Sequence, residues 1–271
     1  MISAVEVASV PFKTSRIKLP GGVRINLVDG GPSDRPAVVM LHGLSDSSFS
    51  FSRVMPLLTN DYRVVAIDQR GHGDSDRPDS DYSIDHFATD ALQVMESLDL
   101  SAATLLGHSM GSFVARRVAE RDPHRVTRLV LVGTALTPRN AVIAELMTAV
   151  DALEDPVSDA FIREFQLSCI HRPVPDDFMA RVIEESRKVP ARVWRSALAG
   201  LWSFRAQWPI TVPTFILGGE KDRVFGRSEH NALFRSIQRS VLHLEPEVGH
   251  TIHWEAPERF VELAFDDTTD V

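Results

Sequence analysis

Ala103-Thr104-Leu105-Leu106-Gly107-His108-Ser109-Met110-Gly111 decides the reading of this chain, because it changes period within a few residues. The first four residues form a short apolar run suited to a buried strand. Beyond Gly111, Phe113, Val114 and Val118 recur at helical spacing. Ser109 therefore sits on a sharp strand-to-helix turn. Such a turn strains the backbone of the serine and lifts its hydroxyl above the strand end. The glycines two residues to either side remove the Cβ atoms that would collide there. The N-terminus of the following helix is aimed at any negative charge that develops nearby.

A serine hydroxyl attacks poorly unless a base removes its proton. Of the ten histidines, His250 is placed best. It follows the apolar run 241–244 in Glu247-Val248-Gly249-His250, on a loop able to lean over Ser109. His253 reads as a packing or capping residue in the next turn. His108 lies within the turn, and its side chain is expected to point away from the serine hydroxyl. A carboxylate must fix the imidazole tautomer and balance imidazolium. Asp222, in Gly218-Gly219-Glu220-Lys221-Asp222 after the run 214–217, is preferred to Glu220, which lies closer to the strand end. A tetrahedral intermediate needs two backbone N–H donors. Met110, just after the serine, supplies one. Leu44, in His42-Gly43-Leu44 after the run 37–41, supplies the other. The side chains of Leu44 and Met110 would line the cleft.

Seven short apolar runs, at 23–28, 37–41, 63–67, 103–106, 128–132, 214–217 and 241–244, alternate with amphipathic stretches. One helix begins near Asp85 and turns Phe87, Ala88, Ala91, Leu92, Met95 and Leu98 to one side; another follows Pro257. This alternation implies an α/β fold, a mostly parallel central sheet flanked by helices. Residues 137–208 interrupt it with helical patterns alone. They divide the chain into a core domain, 1–136 and 209–271, and an inserted helical domain, 137–208.

The composition is that of an ordinary globular protein: 44% hydrophobic, 24% charged, formal net charge −8. The negative charge and the lack of a Lys/Arg run argue against nucleic acid or an anionic membrane surface as partner. No run approaches the ~18 apolar residues of a membrane span, and residues 1–10 lack a signal-peptide pattern. A single cysteine, Cys169, excludes an internal disulfide and suits a cytoplasmic setting. It reads as a small buried side chain, without the surroundings of a nucleophile. The tail 266–271 is polar and expected to fray. No cofactor or metal is called for, and nothing in the sequence sets an oligomeric state.

These motifs resemble, in order and over nearly the whole length, those of the α/β-hydrolase superfamily in its cap-bearing serine hydrolase, carboxylesterase-like branch. His42-Gly43 resembles its oxyanion loop, and Gly107 to Gly111 its nucleophile elbow. Asp68-Gln69-Arg70-Gly71-His72-Gly73-Asp74-Ser75 resembles the loop after its fourth strand, a structural turn. Gly219 to Asp222 resembles its acid loop, and Gly249-His250 with Glu255-Ala256-Pro257 its histidine loop. The resemblance implies a cap over the site at 137–208, and a serine hydrolase of carboxylic esters or lactones. Trp194, Trp202, Phe165 and Leu198 are the candidates to line an apolar pocket for a small, mostly hydrophobic substrate. Relatives that hydrolyse carbon–carbon bonds in vinylogous diketones carry Asn before the nucleophile and a double glycine after it. Here His108 and Gly111-Ser112 stand in those places. Cofactor-free perhydrolases, haloperoxidases and receptor-like binding proteins are further alternatives.

Overall fold

The computed structural model describes residues 12–265. The segments read from sequence as lacking a leader (1–10) and as a frayed tail (266–271) lie outside them. Eight strands form one sheet in the order β1-β2-β4-β3-β5-β6-β7-β8. They are β1 (Lys13–Lys18), β2 (Arg24–Gly30), β3 (Ala37–Leu41), β4 (Arg63–Ile67), β5 (Ala103–His108), β6 (Val126–Val132), β7 (Thr214–Gly219) and β8 (Ser240–Glu245). From β4 onward every neighbouring pair is parallel. β1 and β2 pair antiparallel, as do β2 and β4.

β1 is absent from the sequence reading. Its residues Lys-Thr-Ser-Arg-Ile-Lys contain one apolar side chain, and the strand is held at the sheet edge by its ladder to β2. The central strands are legible because both their faces are covered, which removes the need for polar alternation. Along β3, Val39 and Leu41 enter one apolar cluster while Val38 and Met40 enter another on the opposite face. α2 (Ile84–Ser97), α3 (Met110–Arg121) and α8 (Arg227–Ser236) pack on the first face; α1 (Met55–Leu58) and α10 (Pro257–Phe265) pack on the second. A short helix, α9 (Ile252–Glu255), precedes α10.

Between β6 and β7 lie four helices and no strand: α4 (Ala141–Asp151), α5 (Asp159–Ser168), α6 (Asp176–Arg187) and α7 (Ala191–Trp202). Side chains of Asn140 and Ser158 cap α4 and α5, accepting from the N–H groups of Ile143 and Phe161. Pro190 precedes α7, where its fixed φ suits a helix start. The buried residues of the insertion, among them Ile143, Ile162, Met179, Trp194 and Leu201, belong to the same apolar cluster as the first face of the sheet. Insertion and sheet therefore share one core. Among the described residues no helix is long and apolar enough to cross a membrane.

Candidate active site

Parallel strands place their C-terminal ends on one edge of the sheet, where the loops that follow them meet. The loops after β3, β5, β7 and β8 carry Leu44, Ser109, Asp222 and His250. Ser109 joins β5 directly to α3 with φ 50° and ψ −119°, a left-handed conformation that costs a residue with a Cβ on the order of 1–3 kcal/mol. The turn is over-determined. Ser109 N–H donates to Val132 O at 2.9 Å and Ser112 N–H to Ser109 O at 2.9 Å. A Cβ on Gly111 would stand 2.0 Å from Leu41 O, and one on Gly107 2.3 Å from Gly111 O. Neither glycine is replaceable without moving the helix off the sheet.

His250 Nδ1 lies 2.8 Å from Asp222 Oδ2, with both side chains buried. The other oxygen of Asp222 accepts the N–H groups of Val224 and Phe225 at 2.8 and 3.0 Å. Burial opposes the charge of Asp222, but the neighbouring His250, together with its hydrogen bond and that of Phe225, outweighs this and holds the carboxyl below its usual range. Glu220, the rival carboxylate, is exposed and pairs with Arg227. The loop after β6 makes room for the imidazole: a Cβ on Gly133, at φ +54°, would stand 2.8 Å from His250 Cε1.

Ser109 and His250 line one cavity of about 100 Å³. Leu44 lines it too, whereas the side chain of Met110 is buried in the core. This departs from the expectation that both would line the cleft, and the cause is helical direction: as the first residue of α3, Met110 turns inward beneath Ser109. Its N–H, at the first helical position, has no intrahelical acceptor. Of the four candidates for the pocket wall, Phe165 and Leu198 line the cavity. Trp194 and Trp202 do not. Trp194 is fully buried, edge-on to Phe161 and Phe165 at ring distances of 5.5 and 5.0 Å. Trp202 packs half-buried against the main core. Their places on the wall are taken by Val142, Ile143 and Leu146 of α4, Leu201 of α7, Val224 and Trp254.

The elbow histidine shares the cavity as well. His108 sits with its ring 4.9 Å from that of His250 and 4.5 Å from that of His253. Burial, then its histidine neighbours, pushes its pKa well below the ordinary value. It is a neutral wall group. His253 is buried, with Nε2 3.2 Å from Ser50 Oγ. His42 Nε2 accepts the N–H of Gln69 at 3.0 Å, so its proton is on Nδ1, 2.7 Å from Gly43 O. That ring ties the loop after β3 to the loop after β4. No residue of the 68–75 loop lines the cavity. Its Asp68 accepts from Asn26 Nδ2, Ser48 N and Asp74 N, as a structural turn does. Cys169 also lines the cavity, but burial pushes its thiol far above the ordinary range, and no thiolate forms there.

Sequence reasoning missed Asp46 and Gln166. Both line the cavity, and Gln166 Nε2 lies 3.1 Å from Asp46 Oδ1. A polar side chain within an apolar helical stripe was the available signal for Gln166. Asp46 offered none, because its burial depends on a helix more than a hundred residues away.

The profile of the family described as "alpha/beta hydrolase fold" matches residues 36–168. A Bacillus subtilis (strain 168) protein, provisionally named 2-succinyl-6-hydroxy-2,4-cyclohexadiene-1-carboxylate synthase, is 28% identical over 95% of this chain and 99% of its own length. The 2-hydroxymuconate semialdehyde hydrolase of Pseudomonas sp. (strain CF600) is 28% identical over 92% of this chain and 91% of its own. Among solved structures, an esterase from Exiguobacterium antarcticum superposes with a TM-score of 0.83 at 25% identity, covering 92% of this chain and 97% of that one. With its strand order, elbow and buried acid–histidine pair, the chain belongs to the α/β-hydrolase superfamily.

Proposed function

We propose that the chain is a serine hydrolase of carboxylic esters or lactones, working through an acyl-enzyme. The observation that carries the reading is the buried 2.8 Å pair of His250 with Asp222 beside a cavity that Ser109 and His250 share. With Nδ1 turned to Asp222, His250 has Nε2 left to take the proton of Ser109 as Oγ attacks the ester carbonyl. The N–H groups of Met110 and Leu44 receive the oxyanion. Collapse of the intermediate expels the alcohol, which leaves with the proton from His250. Water, deprotonated by the same nitrogen, then attacks the acyl carbonyl and frees Ser109. The helical insertion serves as a cap, closing the cavity with side chains from α4, α5 and α7.

The wall supports a neutral substrate. Its apolar side chains outnumber its polar ones, and none of the described residues on it is Lys or Arg. A carboxylate group, of the kind the name of the Bacillus relative includes, would find no cation there and would face Asp46. For that reason the ester reading is preferred to carbon–carbon bond hydrolysis, the reaction class weighed for chains of this resemblance.

The test is steady-state turnover of p-nitrophenyl esters and lactones beside vinylogous diketones. Esters or lactones are expected to turn over continuously. Ser109→Ala should lower kcat by several powers of ten, keep the fold, and lose fluorophosphonate labelling, with ~10³-fold residual catalysis over water. Faster turnover of diketones, a single burst without turnover, or labelling that survives in the variant would overturn the reading.

A further inference from the structure

The loop after β3 is bent at Ser45, which has φ 66° with an ordinary side chain. Ser45 directly follows Leu44, whose N–H serves as the second oxyanion donor in the function proposed above. A left-handed Ser persists only where its surroundings leave it no alternative. Those surroundings come from the insertion. Gln166, in the last turn of α5, is 1% exposed and reaches across the cavity to the loop. Its Nε2 stands 3.1 Å from Ser45 Oγ, 3.1 Å from Asp46 Oδ1 and 2.9 Å from Ser186 Oγ of α6. A buried amide carries two N–H groups, shared here among three oxygens, and a loop that moved away would strand those donors from water.

We propose that Gln166 is a positioning residue for the oxyanion loop: its amide clamps Ser45 and Asp46 so that the Leu44 N–H is held aimed at the cavity, making closure of the helical insertion a condition for a complete oxyanion hole. This rests on Leu44 being an oxyanion donor. Asp46 fits the role of anchor. Burial raises its pKa to about 7, and its bond to Gln166 leads the contacts that pull the other way, ahead of His250, Gly43 and Ser50, so losing that donor disfavours its charge further. The other groups facing it are His108, whose Nδ1 lies 3.8 Å from Asp46 Oδ2, and His250. From α6 the nearest charge is Glu185, already paired with Arg181 and Lys188.

Gln166→Met keeps length and volume but removes the amide. It should lower kcat for the best ester about 10- to 100-fold and leave KM within about threefold, since loss of a whole oxyanion donor costs ~10²–10³. Affinity for a trifluoromethyl ketone, whose adduct places an oxyanion in the hole, should fall in step with kcat/KM. Gln166→Glu supplies a readout that a purely structural role would not move. Protonated, the new carboxyl can still donate to Asp46; ionised, it repels it. Its kcat relative to wild type should therefore fall as pH rises from about 5 to about 8. The proposal is overturned if kcat is unchanged in Gln166→Met, if the Gln166→Glu ratio is flat with pH, or if Val150→Ala, at a matched loss of Tm, lowers kcat as much. Failure of the enzymatic reading looks different: ester turnover would then survive Ser109→Ala.

Discussion

Ser109, which lines the cavity, and Ser45, between the lining residues Leu44 and Asp46, both hold left-handed backbone conformations, and each is fixed by a different part of the molecule. The turn at Ser109 was legible from the strand before it and the helix after it, and the neighbouring strands complete its hold through Val132 O and the close approach of Leu41 O to Gly111. Ser45 is held from the insertion. The assignment of the acid is also a matter of single side chains. Asp222 meets His250 and Glu220 meets Arg227, although the two carboxylates are two residues apart on one loop. Asp222→Asn keeps the shape but can stabilise the wrong imidazole tautomer, so kcat should drop by roughly 10⁴. Glu220→Gln loses an exposed ion pair and should change kcat less than about threefold. Equal losses in the two variants, measured on the same ester, would reverse the assignment.

The four insertion helices show why an apolar stripe does not identify a pocket wall. Each turns apolar residues into the shared core, and only some of these also reach the cavity. On α7, Trp194 and Leu198, one turn on, are both buried in that core, but only Leu198 also lines the cavity. Both are apolar and both stand at helical spacing, so their roles are indistinguishable in sequence. Trp194→Ala should cost about 3–5 kcal/mol in unfolding experiments, with the order of preferred ester chain lengths kept. Phe165→Ala and Leu198→Ala should change that order and raise KM for the best ester, while fluorophosphonate labelling of Ser109 continues. If the tryptophan variant alone reorders the esters, the wall has been drawn on the wrong side of α7.

Buried imidazoles make the whole molecule sensitive to acid. Burial lowers the pKa of His42 to about 4, those of His72 and His253 to about 3, and that of His108 well below its ordinary value. Unfolding restores each to about 6.5, so the unfolded chain binds more protons below that pH. The stability each group contributes is full above pH ~6.5 and is lost as pH falls toward its folded value, on the order of 2 kcal/mol by about pH 5 for each of His42, His72 and His253. Asp46 works the other way. Its raised pKa penalises the fold as pH climbs from 3.8 through about 7, so acidification over the same window returns roughly what one histidine loses. The net expectation from these groups is a loss on the order of 3 kcal/mol between pH 6.5 and pH 5, a large fraction of the stability of many domains. Urea midpoints measured at pH 7.5, 6.5 and 5 test it; a midpoint that holds or rises on acidification would contradict it.

Sequence by itself determined the features that arise within a few consecutive residues. These are the doubly covered strands, the turn at Ser109, and the three loops that bring a serine, an acid and a histidine to one sheet edge. Their signals are local because sterics and periodicity act over one strand or one turn of helix. What only the tertiary structure decided depends on neighbours distant in the chain. β1 became a strand because β2 offered it an edge, despite a polar sequence. Trp194 and Leu198 both entered the core, and only Leu198 also reached the cavity, because of what α7 meets. Met110 turned inward while Leu44 faced the site. Gln166 and Asp46 became partners across 120 residues. Burial and hydrogen-bond satisfaction are properties of the assembled core, and no window of sequence contains the residues that create them.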